Sequence, residues 1–194
     1  MPRARCRLVR ADAELTPALL ADATDLLADL VAHGAPLGWV EPPPAAEVTA
    51  LLREVMVAAG RGDAALAVAA TGDELHGLGW WRRYSRPTHR VHADLERVAV
   101  RRAAQGAGLG RALTAMLIEQ AEAAGIEQLT LDLRGDNAAA LHLYESLGFR
   151  VYGRLPEFVA VDRNRFEKVF CVLDLRTGAA GEAPWSHGGT AHPR

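Results

Sequence analysis

Three glycines stand at alternate positions in the segment QGAGLGR, residues 105–111, and this spacing could build a binding site for an anion. The segment follows an apolar run that ends at Val100 and precedes a run with helical spacing that begins near Leu109. A helix that starts directly after a strand and a loop has several backbone N–H groups without partners, together with the positive end of the helix dipole. Glycine lets a ligand approach such groups closely, so the segment is expected to bind phosphate oxygens.

Two common phosphate-binding loops do not match this segment. The dinucleotide-binding pattern G-x-G-x-x-G ends on Arg111 when it starts at Gly106, and it also fails from the next glycine. A P-loop requires G-K-[ST], whereas residues 110–112 are G-R-A. What remains is Q-x-x-G-x-G over residues 105–110, which alone fits a tight turn without a ligand equally well.

A second segment, NAAALHLYESLGF at residues 137–149, follows after about the length of a helix and a strand. Together the two segments resemble the GNAT superfamily of acetyl-CoA-dependent N-acetyltransferases, whose signatures are [RQ]-x-x-G-x-[GA] and N-x-x-A-x-x-L-Y-x-x-x-G-F. Every specified position of the second signature is present: Asn137, Ala140, Leu143, Tyr144, Gly148 and Phe149. The resemblance extends over about residues 64–175.

This resemblance implies an α/β fold, classed as α+β in some schemes, with a mixed, mostly antiparallel sheet that splits at the cofactor cleft and carries helices on both faces. It implies acetyl-CoA as the acyl donor and no metal. Backbone groups of Val98 and Val100 would pair with the pantetheine amides, and the backbone of residues 105–111 would bind the pyrophosphate. The implied cofactor-binding residues are Val98, Ala99, Val100, Gln105, Gly106, Ala107, Gly108, Leu109, Gly110, Arg111, Asn137, Ala140 and Tyr144.

The resemblance also assigns a catalytic role to Tyr144. Attack of an amine on a thioester expels a thiolate, and a phenol with a pKa of about 10 can donate a proton to that sulfur. The alternative is a tyrosine packed beside Leu143 with its hydroxyl in water. Asn137 either caps its helix or reaches the cofactor, and the two roles are compatible.

The acceptor amine has the opposite requirement, because an alkylammonium group with a pKa of about 10.4 must lose a proton before it can attack. Side chains alternate along the strand ADLERVAV, residues 93–100, so Asp94, Glu96, Val98 and Val100 are expected on one face. Many GNAT proteins carry an acidic residue near this place, so Asp94 and Glu96 are the candidate catalytic bases. The alternative for either is a surface carboxylate or an ion pair with arginine.

The rest of the sequence predicts the elements that hold these segments. Apolar residues recur at helical spacing over residues 15–34, 45–62, 109–125 and 136–148. Strands are indicated at residues 5–10, 64–70, 75–84, 93–100, 126–133, 149–155 and 166–175. This order implies a mixed sheet with helices on both faces. Residues 1–176 are expected to form one domain, and residues 177–194, which lack periodicity, a disordered C-terminal tail.

Composition limits the class of protein. The chain has 194 residues, of which 49% are hydrophobic and 24% charged, as in ordinary globular domains. A formal net charge of −2 argues against a nonspecific nucleic-acid-binding surface. Cys6 and Cys171 give neither a disulfide framework nor a metal-binding spacing. No apolar run suits a membrane span or a signal peptide, so a cytoplasmic protein without membrane or nucleic-acid partners is expected.

The resemblance implies that two segments shape the acceptor pocket: HGAPLGWVEPPP, residues 33–44, and PEFVAVDRNR, residues 156–165, the latter predicted as a loop. Their aromatic and acidic side chains suit a cationic amine with apolar bulk. The segment HGAPLGW also resembles GNAT members that acetylate small toxic metabolites, which implies a toxic or antibiotic-like acceptor. The acceptor could instead be a protein N-terminus or lysine, and the chain could instead be a noncatalytic acyl-CoA-binding regulator. Whether it forms a homodimer is left open.

Overall fold

A seven-stranded sheet runs through residues 4–176, the part of the chain that the computed structural model describes. Its strands are β1 (Arg5–Val9), β2 (Ala64–Thr71), β3 (Glu74–Arg83), β4 (His92–Val100), β5 (Gln128–Arg134), β6 (Arg150–Val161) and β7 (Asn164–Asp174). Their spatial order is β1-β2-β3-β4-β5-β7-β6, and every neighbouring pair is antiparallel except β4 and β5. The predicted mixed, mostly antiparallel sheet is confirmed.

Helices cover both faces of this sheet, as the sequence predicted. They are α1 (Pro17–Ala32), α2 (Ala45–Ala59), α3 (Leu109–Ala123) and α4 (Ala138–Glu145). The apolar sides of α1 and α2 form one core with one face of the sheet, and α3 packs into a second core on the other face. No helix among residues 4–176 is both long and apolar enough to cross a membrane.

Two glycines in β3 bring α3 close to the sheet. A Cβ atom on Gly77 would lie 3.1 Å from a methyl group of Leu113, and one on Gly79 would lie 3.2 Å from a methyl group of Leu117. These contacts are tighter than ordinary van der Waals separations, so larger residues would push the helix away. The close packing sets the distance between α3 and β3.

The sheet opens between β4 and β5. These strands pair over only three positions, from His92 opposite Gln128 to Asp94 opposite Thr130. Beyond Asp94 the edge of β4 that faces β5 has no strand partner, while β5 continues to pair with β7. The parallel pair therefore diverges into a V-shaped opening whose sides carry unpaired backbone groups.

The hairpin at the end of the chain differs from the prediction. The segment 156–165 was predicted as a loop, but β6 continues to Val161 and β7 begins at Asn164. The pairing of β6 with β7 is irregular between Leu155 and Val159, a stretch that contains Pro156. Glu157 in this stretch has a φ of 57°. The apolar residues after it resume the strand, which explains why a proline did not end it. The predicted tail, residues 177–194, lies outside the described residues.

Candidate functional site

The opening between β4 and β5 contains a cleft, called here the central cleft. It consists of two adjoining cavities of about 290 and 470 Å³. Both are lined by Val98, Val100, Gln105, Asn137, Ala140 and Tyr144. Of the residues predicted to bind the cofactor, all except Ala107 line this cleft. The two sequence segments therefore meet at one place.

The wall formed by β4 presents backbone groups to the cleft. The carbonyl oxygen of Ala99 lies against Gly77 of β3, on the paired side of the strand. Because backbone groups alternate along a strand, Val98 and Val100 present theirs to the unpaired side. The side-chain amide of Gln105 already donates to the Val100 carbonyl oxygen at 3.1 Å, so part of this edge is occupied by the chain itself.

The glycine-rich loop supplies a row of free donors at one end of the cleft. Gly106 and Gly108 have φ values of 79° and 81°, and a Cβ atom on either would meet nothing within 4 Å. These glycines are therefore required by backbone conformation and not by crowding. The first backbone bond of α3 runs from Ala112 to the Gly108 carbonyl oxygen. Among residues 4–176, the N–H groups from 106 to 111 have no acceptor, which is the donor set that a diphosphate needs.

Arginines near this loop are held by other contacts. The guanidinium of Arg111 donates to the Ser146 hydroxyl at 2.5 Å and to its carbonyl oxygen at 3.3 Å. Arg101 donates through Nε to the carbonyl oxygen of Leu75 at 3.1 Å, on the side of β3. Arg111 consequently fixes the start of α3 to the end of α4 and so stabilises the mouth of the cleft.

Tyr144 lies in the wall of the cleft with a free hydroxyl. Its ring packs edge-on against Phe149, with centroids 5.6 Å apart. Its hydroxyl has no hydrogen-bond partner among residues 4–176, although the ring is largely buried. Burial raises the pKa of Tyr144 to about 12, so the hydroxyl is protonated at neutral pH and can donate a hydrogen bond.

Asn137 performs the capping role that the sequence allowed. Its side-chain oxygen accepts a hydrogen bond from the Ala140 backbone N–H at 3.2 Å, at the start of α4. Both residues also line the central cleft. The cap holds the first turn of α4, and with it Tyr144, against the opening in the sheet.

A β-bulge in β4 overturns the expected common face of Asp94, Glu96, Val98 and Val100. Trp80 of β3 pairs with Arg97 and Trp81 pairs with Leu95, so Glu96 is an extra residue. Before the bulge, Leu95 packs into the core under α3, and after it Val98 and Val100 do. Asp94, Glu96 and Arg97 lie on the α1 side instead. Strict alternation failed because the inserted residue reverses the faces.

The two predicted carboxylates have different surroundings. Glu96 lines the central cleft, and its Oε2 accepts from Trp80 Nε1 at 2.6 Å and lies 3.3 Å from Arg82 Nε. Asp94 is not among the residues that line the cleft, and Thr130 donates to its Oδ1 at 2.7 Å. Burial is the main reason that the pKa of Asp94 is raised above its usual range.

A third cavity of about 280 Å³, called here the lateral cavity, adjoins the central cleft. It lies between the α1–α2 loop, β5 and the β6–β7 hairpin. The two share Ala35, Pro36, Gly38, Asp132 and Leu133. The loop and the hairpin were the segments predicted to shape an acceptor pocket, and residues of both line this cavity.

Sequence reasoning missed the charged residues of the lateral cavity. Asp132 lines both spaces, and the Nζ of Lys168 lies 3.0 Å from its Oδ2. Asp132 alternates with buried leucines in the stretch QLTLDLR, so it could have been recognised as a polar residue on a half-buried strand. Its pairing with Lys168 depends on the register between β5 and β7, which no local pattern reveals.

Comparison with known families matches the model of the "Acetyltransferase (GNAT) family" to residues 31–149. A mycothiol acetyltransferase of Gordonia bronchialis is 40% identical over 84 residues, 43% of this chain and 26% of that protein. A [ribosomal protein bS18]-alanine N-acetyltransferase of Escherichia coli is 51% identical over 57 residues, 29% of this chain and 38% of that protein. An L-methionine sulfoximine/L-methionine sulfone acetyltransferase of Salmonella typhimurium is 35% identical over 107 residues, 55% and 60% of the respective chains.

The matches to these curated relatives are partial, because the chain spans about a quarter of the length of the first of them. The fold is matched over a greater length. A protein of Salmonella typhimurium solved with its cofactor acetyl-CoA superimposes with a TM-score of 0.78 at 23% identity, over 94% of this chain and 99% of that one. At this identity the superposition establishes a shared fold.

Proposed function

Since the chain belongs to the GNAT acetyltransferase family, we propose that it transfers an acetyl group from acetyl-CoA to a primary amine. One observation carries the proposal. The free hydroxyl of Tyr144 and the unpaired N–H groups of the loop 106–111 lie along the same cleft, which opens beside the unpaired edge of β4. A thioester linked through pantetheine to a diphosphate needs these groups in this order.

The residues of the cleft fit such a donor. The N–H groups of residues 106–111 would bind the diphosphate at the positive end of α3. The backbone groups of Val98 and Val100 would pair with the amides of the pantetheine arm. The arm would then occupy the place that a neighbouring strand takes along a paired edge. When bound, acetyl-CoA supplies a thioester carbonyl for the amine to attack.

In the proposed reaction the neutral amine forms a bond from its nitrogen to the carbonyl carbon, the carbon–sulfur bond breaks, the nitrogen loses a further proton to solvent as the amide forms, and CoA leaves as a thiolate. We propose that Tyr144 donates a hydrogen bond to that sulfur. With a pKa of about 12 for Tyr144 and about 8.5 for a thiol, complete proton transfer would cost about 5 kcal/mol. Stabilisation of the leaving sulfur by the hydroxyl dipole is therefore a better description than full protonation.

We propose Glu96 as the group that receives the proton of the ammonium. It lines the central cleft, and its Oε2 is held by Trp80 Nε1. Among residues 4–176 its Oε1 has no hydrogen-bond partner and is available to the amine or to a bridging water. Asp94, whose carboxylate accepts a hydrogen bond from Thr130, then has no direct contact with the amine.

A thiol-release assay tests this function. Purified protein is incubated with acetyl-CoA and a panel of primary amines, and free CoA is measured together with acetyl-CoA affinity. Amine-dependent release is expected, and Glu96→Gln should lower it while leaving the affinity for acetyl-CoA within about twofold. Tight acetyl-CoA binding without release for any amine would instead favour the noncatalytic regulator.

A protein N-terminus is the second candidate acceptor. Val40, which lines the lateral cavity, is 59% exposed, and Phe158, whose ring centroid lies 5.4 Å from the Nζ of Lys168, is 58% exposed. Such side chains could contact the residues that follow a peptide N-terminus. Acetylation of short peptides with a higher kcat/KM than any free small amine would favour this candidate.

A further inference from the structure

The lateral cavity has a size and position that suit one small acceptor molecule. Its volume, about 280 Å³, is close to the lower end of ordinary ligand pockets. It reaches the central cleft at Asp132 and Leu133, which line both spaces. A molecule in the cavity can therefore extend an amino group toward the cleft while the rest of it stays outside.

An ion pair stands at this junction. The Nζ of Lys168 lies 3.0 Å from Oδ2 of Asp132, and the two side chains are 23% and 43% exposed. Lys168 is the only lysine in the sequence. Its ammonium group also lies 5.4 Å from the ring centroid of Phe158 and 5.5 Å from that of Phe170, within the range of cation–π attraction. Asp132 and the two aromatic rings thus hold the Lys168 ammonium in the wall of the lateral cavity.

The ammonium of Lys168 keeps donors free for a ligand. It can donate three hydrogen bonds, and among residues 4–176 only Asp132 lies within ion-pair distance of it. The neighbouring guanidinium of Arg134 is partly engaged, because it donates to Asp136 Oδ1 at 2.6 Å and to the Gly34 carbonyl oxygen at 3.3 Å and stacks 4.4 Å from the Phe166 ring. Lys168 is the cation beside Asp132 that keeps donors free for an anion in the cavity.

We propose that the acceptor is an amine that also carries an anionic group such as a carboxylate, and that Lys168 binds the anion while Asp132 binds the ammonium. The proposal rests on the proposed function and names its substrate class. A ligand with both charges can lie antiparallel to the Lys168–Asp132 pair, so each charge meets its opposite. A simple ammonium would meet Asp132 but also the repulsion of Lys168 and Arg134.

The position of Asp132 connects this binding mode to the reaction. With the carboxylate of the acceptor fixed by Lys168 in the lateral cavity, its ammonium lies at the residue that also lines the central cleft. Glu96 lines the same cleft and can then take one proton from that ammonium. Asp132 is thus a binding residue that orients the amine. It neither takes nor gives a proton in the proposed reaction.

Matched acceptors test the proposal. L-leucine, L-leucinamide and 3-methylbutylamine share an apolar chain, and only leucine carries a carboxylate. We expect leucine to have a kcat/KM at least about tenfold above the other two, in line with a hydrogen-bonded charge pair. An equal or higher kcat/KM for either analogue without the carboxylate would overturn the proposal and leave the acetyltransferase function intact.

Variants of Lys168 test whether this residue causes the preference for leucine. Lys168→Gln should lower the ratio of leucine to 3-methylbutylamine kcat/KM about tenfold, mainly through the KM for leucine, and Lys168→Arg should restore much of it. Arg154→Gln is the matched control, because Arg154 is an exposed cation on the neighbouring strand that pairs with Glu167. An unchanged ratio in Lys168→Gln would contradict the assigned role.

Calorimetry separates this proposal from the proposed function. The three compounds are titrated into protein saturated with CoA, so that no turnover is needed. Tighter binding of leucine, lost in Lys168→Gln, supports the proposal even when no amine is acetylated, a result that would refute only the transferase function. Equal binding of the three compounds, or no binding of leucine, would overturn it.

Discussion

The guanidinium carbon of Arg97 lies 4.3 Å from the centroid of the Trp39 ring, and this stack joins β4 to the α1–α2 loop. Arg97 also donates through Nε to the Leu37 carbonyl oxygen at 3.0 Å. Trp39 in turn donates through its indole N–H to Glu47 of α2. One side chain beside the bulge therefore holds the loop that forms a wall of both the central cleft and the lateral cavity.

Replacing Arg97 by lysine should loosen this loop. Lysine keeps the charge but loses the planar stack and the Nε donor, a loss of about 1–2 kcal/mol. We expect faster amide hydrogen exchange in residues 34–40 and a severalfold higher KM for the acceptor. Arg7→Lys, which changes an exposed ion pair with Glu14, is the control. Unchanged exchange in the loop would show that the stack does not hold it.

Removal of the Tyr144 hydroxyl should affect turnover more than donor binding. The hydroxyl makes no hydrogen bond within residues 4–176, so Tyr144→Phe removes no internal contact and preserves the packing against Phe149. We expect kcat to fall by about 10- to 100-fold and the Kd for acetyl-CoA to change little. An unchanged kcat would remove the role proposed for this hydroxyl.

Two glycines of the loop should respond differently to alanine. Gly108 has a φ of 81°, so Gly108→Ala strains the backbone by about 1 kcal/mol and turns its neighbouring N–H groups away. A Cβ on Gly110 would lie 3.5 Å from Leu143, an ordinary contact, so Gly110→Ala should fold normally. We expect weaker CoA binding by calorimetry in the first variant and near-normal binding in the second. Similar affinities in both would argue against donor alignment by Gly108.

Asp94 should make stability depend on pH. Burial raises its pKa in the folded state above the value of about 3.9 in the unfolded chain. Below that value the group is protonated in both states, and as pH rises through the folded pKa the buried charge lowers the free energy of unfolding. Asp94→Asn should therefore raise the Tm at pH 7 and change it much less at about pH 3.5, where the aspartic acid is mostly neutral in both the folded and the unfolded state.

Asp174 should show the opposite dependence of stability on pH in the same thermal measurements. Hydrogen bonds from Arg176 lower the pKa of Asp174 to about 2, so its contribution is present at neutral pH and is lost on acidification. The partner Arg176 is 47% exposed and the pair is therefore screened by solvent, so Asp174→Asn should lower the Tm only slightly at pH 7. A fall in Tm at pH 7 for Asp94→Asn as well would contradict the burial cost assigned to Asp94.

Local patterns predicted the elements and the meeting of the two signature segments. The helical period after Leu109 and the cap at Asn137 are properties of adjacent residues, so they could be read directly from the chain. The order of strands and helices then fixed the layers of the sheet. The assignment of the loop and Tyr144 to one cleft came from the resemblance of the two segments to the GNAT signatures.

The remaining features depend on pairing between distant strands. The bulge at Glu96 arises from how β4 lies against β3, and the length of β6 from its register with β7 across Pro156. The contact between Asp132 and Lys168 requires β5 and β7 to be neighbours in one register. Such registers are set by the whole sheet, so side-chain alternation within one strand could not supply them.

The extra residue at Glu96 divides β4 into two stretches with separate tasks. At the bulge, Glu96 and Arg97 line the central cleft beside the proposed acceptor site, whereas the main chain after the bulge borders the part of the cleft proposed for acetyl-CoA. Substitutions in the first stretch could thus change which amine is accepted without altering how the common donor is held. One additional peptide unit therefore gives this scaffold room to diversify in evolution.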